Sequence, residues 1–238
     1  MYLSIIIPVF NEAKTIKAIS KRVSDLQLPG VKKEIIIIND GSSDGTDKLL
    51  TVIKKSHPKI QIITHKKNQG KGAAVITGIT KARGDYIIIQ DADLEYNPKD
   101  IKRIVQPILH SSANVVYGTR LKRLPNFSKD ERTARFFLHY LGNKGLSLLT
   151  SLLYFHWITD MECCYKLFPK AALANTPLRA RGFELEPEIT AKLLKNGYKI
   201  VEVPISTNPR GYDEGKKLDT VRDGIKAVKA LLKYRFMN

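Results

Sequence analysis

The strongest constraint on the fold of this chain is a regular alternation, over its first 120 residues, of short apolar runs and longer amphipathic stretches. The apolar runs lie at residues 3–9, 34–38, 60–64, 86–89 and 114–117. Helix-length amphipathic stretches separate them near residues 12–28, 44–57, 70–82 and 98–110. Short apolar strands that alternate with helices predict an α/β fold with a Rossmann-like, mostly parallel sheet and helices on both faces.

Beyond residue 120 this alternation changes. A loop at 121–130 leads into a long helical, aromatic-rich stretch near 132–158. A further helix is predicted near 184–196, a strand near 199–203, and a basic amphipathic helix at the C-terminus. The length of 238 residues suits a single compact domain.

The composition limits the setting and the partners of the protein. The only two cysteines, Cys163 and Cys164, are adjacent, so no disulfide framework is possible and a reducing, cytoplasmic setting is expected. We expect no cleaved signal peptide, and the stretch at 136–158 carries too many polar groups for a membrane span. The formal net charge of +17 favours polyanionic partners, such as nucleotide phosphates, nucleic acid or anionic lipid headgroups.

Acidic residues follow three of the predicted strands, at the edge where parallel sheets bind ligands. Asp91 and Asp93 come directly after the run at 86–89, Ala92 between them permits a close approach, and Glu95 follows. Carboxylates in this arrangement suit Mg²⁺ or Mn²⁺, with diphosphate oxygens completing the coordination shell. Such an ion would offset the charge on a departing nucleotide diphosphate. The alternative interpretation is a solvated acidic turn.

A second polar segment follows the second apolar run. Asp40 could accept N–H bonds from the edge of a uracil or guanine base. Ser43 or Asp44 could cap the helix that comes next, and the two roles are compatible. Lys71, at the start of the third predicted helix, could face a phosphate.

Several motifs resemble those of family 2 glycosyltransferases, the inverting enzymes of GT-A fold. Four of them lie at residues 7–12, 39–46, 70–72 and 91–93 and read IPVFNE, NDGSSDGT, GKG and DAD. The later segments at 118–120, 159–162, 165–168, 182–186 and 209–217 are similar to the polyprenyl-phosphate mannose and glucose synthase branch of this family. Glu95 is a departure, because close relatives often have glutamine at that position.

The resemblance implies a role for each half of the chain. Residues 1–120 would bind the nucleotide sugar, residues 121–210 would bind the acceptor, and residues 211–238 would form the basic amphipathic helix. It implies a nucleotide-sugar site at Pro8, Phe10, Glu12, Asp40, Asp91, Ala92, Asp93, Arg210 and Lys216. It implies metal ligands at Asp91, Asp93 and Glu95, acceptor-phosphate contacts at Arg120, Arg132 and Arg135, and catalytic roles for Asp93, Arg120 and Asp160.

The nature of the acceptor decides what chemistry the protein must supply. A sugar hydroxyl would need a general base, for which Asp160 is the obvious candidate. A phosphate monoester, with a second pKa of about 6, is largely dianionic at neutral pH and needs cations instead. Arg120, Arg135, Arg210 and Lys216 could supply them, and Asp160 would then orient a basic neighbour. The basic composition favours the phosphate acceptor.

Two later segments could contact a membrane. Eight apolar residues could line a groove for a lipid, although core packing is expected for most of them: Phe136, Phe137, Leu141, Leu148, Leu149, Leu152, Phe155 and Trp157. In the C-terminal helix an apolar stripe is formed by Leu218, Val221, Ile225, Val228 and Leu232, and a basic stripe by Arg222, Lys226, Lys229 and Lys233. Such stripes are typical of a helix on anionic lipid and also of a helix docked on its own domain.

The sequence therefore predicts an inverting glycosyltransferase that moves a hexose from GDP-mannose or UDP-glucose to a polyprenyl phosphate. We expect it to act as a peripheral protein at the cytoplasmic face of the membrane. Transfer to a sugar hydroxyl in polysaccharide or glycolipid assembly is the alternative within the same class. A basic nucleic-acid-binding protein is the non-enzyme alternative, but it would leave the acidic residues at the strand ends unexplained.

Overall fold

The computed structural model describes residues 1–120, 134–208 and 220–237, with side chains at all of them except 134–139 and 220. The strands of this part are β1 (Tyr2–Val9), β2 (Lys32–Asn39), β3 (Gln61–Thr64), β4 (Tyr86–Ile89), β5 (Val115–Thr119), β6 (Lys166–Pro169) and β7 (Ile200–Pro204). Its α-helices are α1 (Ile16–Asp25), α2 (Thr46–Ser56), α3 (Lys71–Lys81), α4 (Ile101–Leu109), α5 (Ala134–Tyr154), α6 (Leu185–Lys195) and α7 (Thr220–Phe236).

These strands form one sheet in the order β3-β2-β1-β4-β6-β5-β7. Strand β6 is antiparallel to both of its neighbours, and every other pair is parallel. Strands β1, β2, β4 and β5 consequently run in one direction and end at the same edge of the sheet. The structure confirms the predicted mostly parallel α/β architecture.

Strand β6 is the element that the sequence pattern did not predict. It inserts between β4 and β5, although it follows β5 in the chain, so one sheet runs through both halves of the sequence. Its first residue, Lys166, is fully buried, and its ammonium group donates to the carbonyl oxygens of Met161 and Cys163. A four-residue strand that begins with a buried lysine lacks the continuous apolar signature of the other strands.

The centre of the sheet supplies the core. Residues Leu3–Ile7 of β1 are buried in succession rather than alternately, because both faces of the sheet are covered. Each fully buried isoleucine contributes about 1.5–3 kcal/mol relative to an exposed one. Cys163 and Cys164 also lie in this core, and both thiols are free, as the sequence predicted.

Helices α5 and α7, the two segments that the sequence proposed as membrane contacts, both leave large apolar side chains exposed. Helix α7 docks on its domain through a face formed by Ala227, Ala230, Leu231 and Tyr234. The predicted stripe instead leaves Val221, Ile225 and Leu232 exposed. Core packing is likewise the wrong expectation for Leu141, Leu148, Leu152, Phe155 and Trp157, which are exposed. No helix of the described segments combines the length and the apolar character needed to cross a membrane.

Candidate active site

Four parallel strands deliver polar groups to one edge of the sheet. Strand β1 leads into Glu12, β2 into Asp40, β4 into Asp91, and β5 into Arg120. Because parallel strands end at the same edge, residues far apart in sequence meet there. This edge is the candidate active site.

The segments after β1 and β2 hold each other in place. The Asn11 N–H donates to Ser42 Oγ at 2.9 Å, and the Ser43 N–H donates to Asn11 Oδ1 at 2.8 Å. Asn11 has φ of 50°, a left-handed conformation that asparagine tolerates better than most residues. The two segments thus form a fixed wall of the site.

Helix α2 begins at this wall. The Asp44 carboxylate accepts from the N–H of Thr46, the first residue of α2, at 3.0 Å, but the N-cap position itself is Gly45, so neither Ser43 nor Asp44 is the N-cap residue that the sequence predicted. Thr46 Oγ1 in turn accepts from the Glu12 N–H at 3.1 Å. Pro8 and Phe10 are half-buried at the end of β1. Nucleoside contacts of Pro8, Phe10 and Glu12 stay predictions.

Asp40 holds the loop that precedes α3. Its carboxylate is 2% exposed. It accepts from His65 Nδ1 at 2.7 Å and from the backbone N–H groups of Gln69 and Gly70 at 3.0 and 2.8 Å. These bonds leave Asp40 with a structural role that sequence reasoning missed. A nucleobase would have to share oxygens that already accept hydrogen bonds, and base binding by Asp40 stays a prediction.

The start of α3 carries a half-buried cation, Lys71, into the site. A Cβ on Gly72 would lie 2.5 Å from the carbonyl oxygen of Ala180, so only glycine permits this close approach. The approach places Lys71 Nζ 2.9 Å from Asp91 Oδ1 and 3.0 Å from Glu186 Oε1. Burial alone would lower the pKa of Lys71, but the two carboxylates raise it well above its ordinary value. Lys71 is therefore a charged bridge between Asp91 and α6.

A tight turn presents the acidic residues after β4. Ala92 is buried, and Asp93 Oδ1 accepts from the Glu95 N–H at 3.1 Å. Leu94, between them, has φ of 66°, which costs a non-glycine residue about 1 kcal/mol or more. Within the described segments, no three His, Cys, Asp or Glu side chains converge to hold a metal ion. Metal binding by Asp91, Asp93 and Glu95 therefore stays a prediction that requires oxygens from a ligand.

An ion pair with the fully buried Asp160 fixes the guanidinium of Arg120. Its Nε and Nη2 donate to the two oxygens of Asp160 at 2.8 and 2.7 Å, and its Nη1 donates to Tyr96 OH at 3.0 Å. Burial alone would raise the pKa of Asp160, but Arg120 holds it below its ordinary value. A carboxylate with a lowered pKa is a weak base, so the geometry favours an orienting role for Asp160 over general-base catalysis.

Two glutamates of the site were missed as functional candidates. Glu162 Oε1 and Glu186 Oε2 are buried and accept no hydrogen bond from the described protein. Burial, and then the charge of Glu186, raises the pKa of Glu162 to about 7. Unpartnered buried carboxylate oxygens are costly and often mark a functional site. Glu162 lies in the motif at 159–162 and Glu186 in the motif at 182–186. Because these motifs are far apart in the sequence, the sequence alone did not indicate that the two carboxylates are neighbours.

Glu162→Gln is expected to stabilise the protein in a pH-dependent way. Because its pKa rises from 4.5 to about 7 on folding, Glu162 weakens the fold as pH increases through this range. The neutral variant should gain up to about 3 kcal/mol in free energy of unfolding near pH 8 and much less near pH 5. Urea titrations at both pH values measure this difference. An equal gain at both pH values, or a gain matched by the exposed-site variant Asp47→Asn, contradicts the prediction.

Four predicted basic residues are not part of the described site. Arg132, Arg210 and Lys216 lie outside the described residues, and only the backbone of Arg135 is described, within α5. Their predicted phosphate contacts stay predictions. Asp91, Arg120 and Asp160, in contrast, meet at or next to the edge that the sequence predicted.

The fold and the site define an α/β enzyme with the Rossmann-like GT-A architecture. The sequence model of the protein family described as Glycosyl transferase family 2 matches residues 4–176 of this chain. This range includes Asp91, Arg120 and Asp160. The chain belongs to glycosyl transferase family 2, and the protein is a glycosyltransferase.

Named relatives share most of the length of the chain. The UDP-N-acetylglucosamine–dolichyl-phosphate N-acetylglucosaminyltransferase of Methanococcus voltae is 34% identical over 85% of this chain and 84% of its own. The dolichyl-phosphate beta-glucosyltransferase of Dictyostelium discoideum is 30% identical over 99% of this chain and 74% of its own.

A solved structure has the same fold. It is the glucosyl-3-phosphoglycerate synthase of Mycobacterium tuberculosis in complex with Mn²⁺, UDP and phosphoglyceric acid. Its TM-score is 0.73 at 19% identity, and the match covers 99% of this chain and 79% of that chain.

Proposed function

We propose that the protein transfers a hexose or an N-acetylhexosamine, with inversion, from a UDP-sugar to a polyprenyl phosphate. The observation that carries the proposal is that one edge of the sheet holds both the acidic pair Asp91 and Asp93 and the fixed guanidinium of Arg120. Tyr96 lies within electrostatic range of Asp91 and of Arg120. Carboxylates suit a metal-bound diphosphate, and a guanidinium suits a second anion, the acceptor phosphate.

The choice of UDP over GDP rests on similar proteins. The named relative from Methanococcus voltae takes UDP-N-acetylglucosamine, and the structure from Mycobacterium tuberculosis contains UDP. Two relatives are named as dolichyl-phosphate glucosyltransferases, which supports glucose as one possible sugar. UDP-glucose and UDP-N-acetylglucosamine are therefore the proposed donors, in preference to GDP-mannose.

Asp91 and Asp93, with Glu95 as a third ligand, would hold Mg²⁺ or Mn²⁺. Their carboxylate oxygens are the hard donors that these ions prefer. When bound, the ion would neutralise charge on the leaving nucleoside diphosphate. Lys71 holds Asp91 in place at 2.9 Å, and the positive φ of Leu94 turns the chain directly after Asp93.

The acceptor phosphate would meet Arg120. Asp160 fixes the guanidinium through two oxygens, and Tyr96 orients its remaining end, so the cation is in position before a ligand arrives. A phosphate dianion needs no general base, which agrees with the pairing of Asp160 to an arginine. Arg132, Arg135, Arg210 and Lys216 are proposed as further phosphate contacts.

The donor sugar would be bound by Glu162 and Glu186. Each has a buried carboxylate oxygen that lacks a hydrogen-bond donor within the described protein. Sugar hydroxyl groups are donors of the kind that these oxygens need. Lys71 links Glu186 to Asp91, which puts the proposed sugar and diphosphate contacts side by side.

A thermal-shift panel tests the proposed donor. UDP with Mn²⁺ is expected to raise the melting temperature by about 5 °C at a concentration 100 times its Kd, because ligands stabilise the state that they bind. GDP with Mn²⁺ is expected to give a much smaller shift. UDP after chelation of the metal should also shift less.

Radiolabelled sugar transfer to polyprenyl phosphate or to the corresponding polyprenol completes this test. Product with the phosphate alone supports a phosphate acceptor. Product with the alcohol, or a GDP shift that exceeds the UDP shift, contradicts the proposal.

The proposed place of action is the cytoplasmic face of a membrane, where a polyprenyl phosphate would be reached. The two free, buried cysteines support a reducing compartment. The basic composition supports contact with anionic headgroups.

A further inference from the structure

Helix α5 turns a row of large apolar side chains to solvent. Its inward face combines small polar residues with leucines that pack against the core: Asn143, Ser147, Thr150 and Ser151, with Leu146, Leu149 and Leu153. Large apolar residues form its exposed face and continue past its end: Leu141, Leu148, Leu152, Phe155 and Trp157. Leu152 is 66% exposed, Phe155 87% and Trp157 73%. A surface helix in water normally presents polar residues on its exposed face.

Two serines on the inward face of α5 bind backbone groups of the segment that follows the helix. Ser147 Oγ accepts from the Met161 N–H at 3.0 Å, and Ser151 Oγ accepts from the Ile158 N–H at 3.1 Å. These bonds hold the segment that carries Asp160. This orientation of α5 thus serves the active site, and it leaves Leu141, Leu148 and Leu152 outside.

Helix α7 presents a second apolar stripe beside α5. Tyr154 OH of α5 donates to the carbonyl oxygen of Leu231 at 2.8 Å, and the Arg235 guanidinium lies 5.8 Å from the rings of both Tyr154 and Phe155. The outward residues of α7 are Val221, Ile225, Leu232 and Phe236. We call the outward residues of both helices, with Trp157, the α5–α7 surface.

The charge around this surface selects its partner. Helix α7 carries five basic residues: Arg222, Lys226, Lys229, Lys233 and Arg235. Its one acidic residue, Asp223, pairs with Lys226 at 3.5 Å, and α5 contains no acidic residue. A second copy of this chain would bring the same positive charges together, which opposes self-association. An anionic bilayer surface complements both the charge and the apolar side chains.

We propose that the α5–α7 surface is a membrane-docking surface that lies on anionic lipid headgroups, with the apolar side chains in the interface and the basic side chains against phosphates. Exposed Trp157 and Phe155 suit this interface, where aromatic side chains are favoured. This proposal rests on the proposed function in one respect, because docking would serve to bring the active site to a lipid acceptor. Vesicle binding can be measured without that activity.

Vesicle co-sedimentation of the full chain tests the docking surface. Wild type is expected to partition at least tenfold more strongly to vesicles of equal parts phosphatidylcholine and phosphatidylglycerol than to phosphatidylcholine alone. Ile225→Gln/Leu232→Gln is expected to weaken the partition at least tenfold. Lys229→Glu/Lys233→Glu should remove the preference for the anionic vesicles.

Val52→Gln is the matched control, because Val52 is an exposed apolar residue of another helix, α2. It should bind vesicles like wild type. Equal partition of wild type and Ile225→Gln/Leu232→Gln overturns the proposal. So does a wild-type dimer in sedimentation velocity that this double variant dissociates while vesicle binding is absent, because the surface would then belong to a second copy. If the double variant fails to fold, the charge variant decides alone.

Transfer to a short, water-soluble polyprenyl phosphate separates this proposal from the proposed function. Ile225→Gln/Leu232→Gln should retain wild-type kcat/KM with this soluble acceptor while losing vesicle binding. Wild-type protein that binds anionic vesicles but transfers sugar to no polyprenyl phosphate contradicts the proposed function alone. Full transfer without vesicle binding contradicts the docking surface alone.

Discussion

Asp91→Asn is expected to lower kcat/KM for sugar transfer by about 10³-fold. The change removes one negative charge at the point where the leaving diphosphate and its metal ion would be held. A tenfold change in rate corresponds to about 1.4 kcal/mol of transition-state stabilisation. The expected factor therefore corresponds to the loss of several kcal/mol of stabilisation of the charge that develops on the leaving diphosphate. The fold should persist, because asparagine has nearly the same shape and Lys71 keeps its contact with Glu186 at 3.0 Å.

The readout for Asp91→Asn combines kinetics with binding. Initial rates across Mn²⁺ concentrations give the loss in kcat/KM, and calorimetry gives the loss of Mn²⁺-dependent UDP affinity. Asp47→Asn, an exposed carboxylate in the first turn of α2, is the matched control and should retain full activity. Wild-type activity in the presence of a chelator, or an Asp91→Asn enzyme that still turns over normally, would falsify the metal-site hypothesis.

Asp160→Asn is expected to impair both stability and activity. The change leaves the guanidinium of Arg120 without its countercharge. Breaking a fully buried ion pair costs about 3–5 kcal/mol, and the 21% exposure of the Arg120 side chain puts the expected loss at the lower end, about 3 kcal/mol. For a domain of this size that loss lowers the melting temperature by about 10 °C. Activity should fall at least about 100-fold, because the guanidinium would no longer be held toward the acceptor phosphate.

The pH profile distinguishes a positioning role of Asp160 from general-base catalysis. If Asp160 orients Arg120, the residual activity of Asp160→Asn keeps the wild-type pH profile. If Asp160 were the base, the variant would recover rate at high pH, where hydroxide replaces the base. Asp25→Asn, which removes the exposed Lys21–Asp25 ion pair, is the control and should leave stability and activity unchanged.

The positions of Asp91 and Asp93 could be inferred from the sequence, whereas the contacts of Lys71 could not. Asp91 and Asp93 could be placed at the ligand-binding edge because they directly follow a predicted strand, and the ends of parallel strands meet at one edge of the sheet. The ion pair between Lys71 and Glu186 could not be predicted from the sequence, because the two residues belong to motifs that lie far apart in the chain. Their contact depends on how closely α3 approaches the backbone of Ala180, which the glycine at position 72 permits.

The pairing of Arg120 with Asp160 shows the same limit. The sequence proposed both residues and left the role of Asp160 open between base and orienting group. Only the bidentate geometry, with distances of 2.8 and 2.7 Å, favours the orienting role, because it lowers the pKa of the carboxylate.

The chain by itself determined the class of fold, since strand and helix periodicities are local properties of consecutive residues. It also determined which residues share a face of α5 and of α7. The tertiary structure decided the position of β6 and which face of each helix turns inward. The physical reason is that an inward face is selected by its partners elsewhere in the chain. For α5 those partners include the backbone N–H groups of Ile158 and Met161, which donate to Ser151 and Ser147 on the same face as the core-packed Leu146, Leu149 and Leu153.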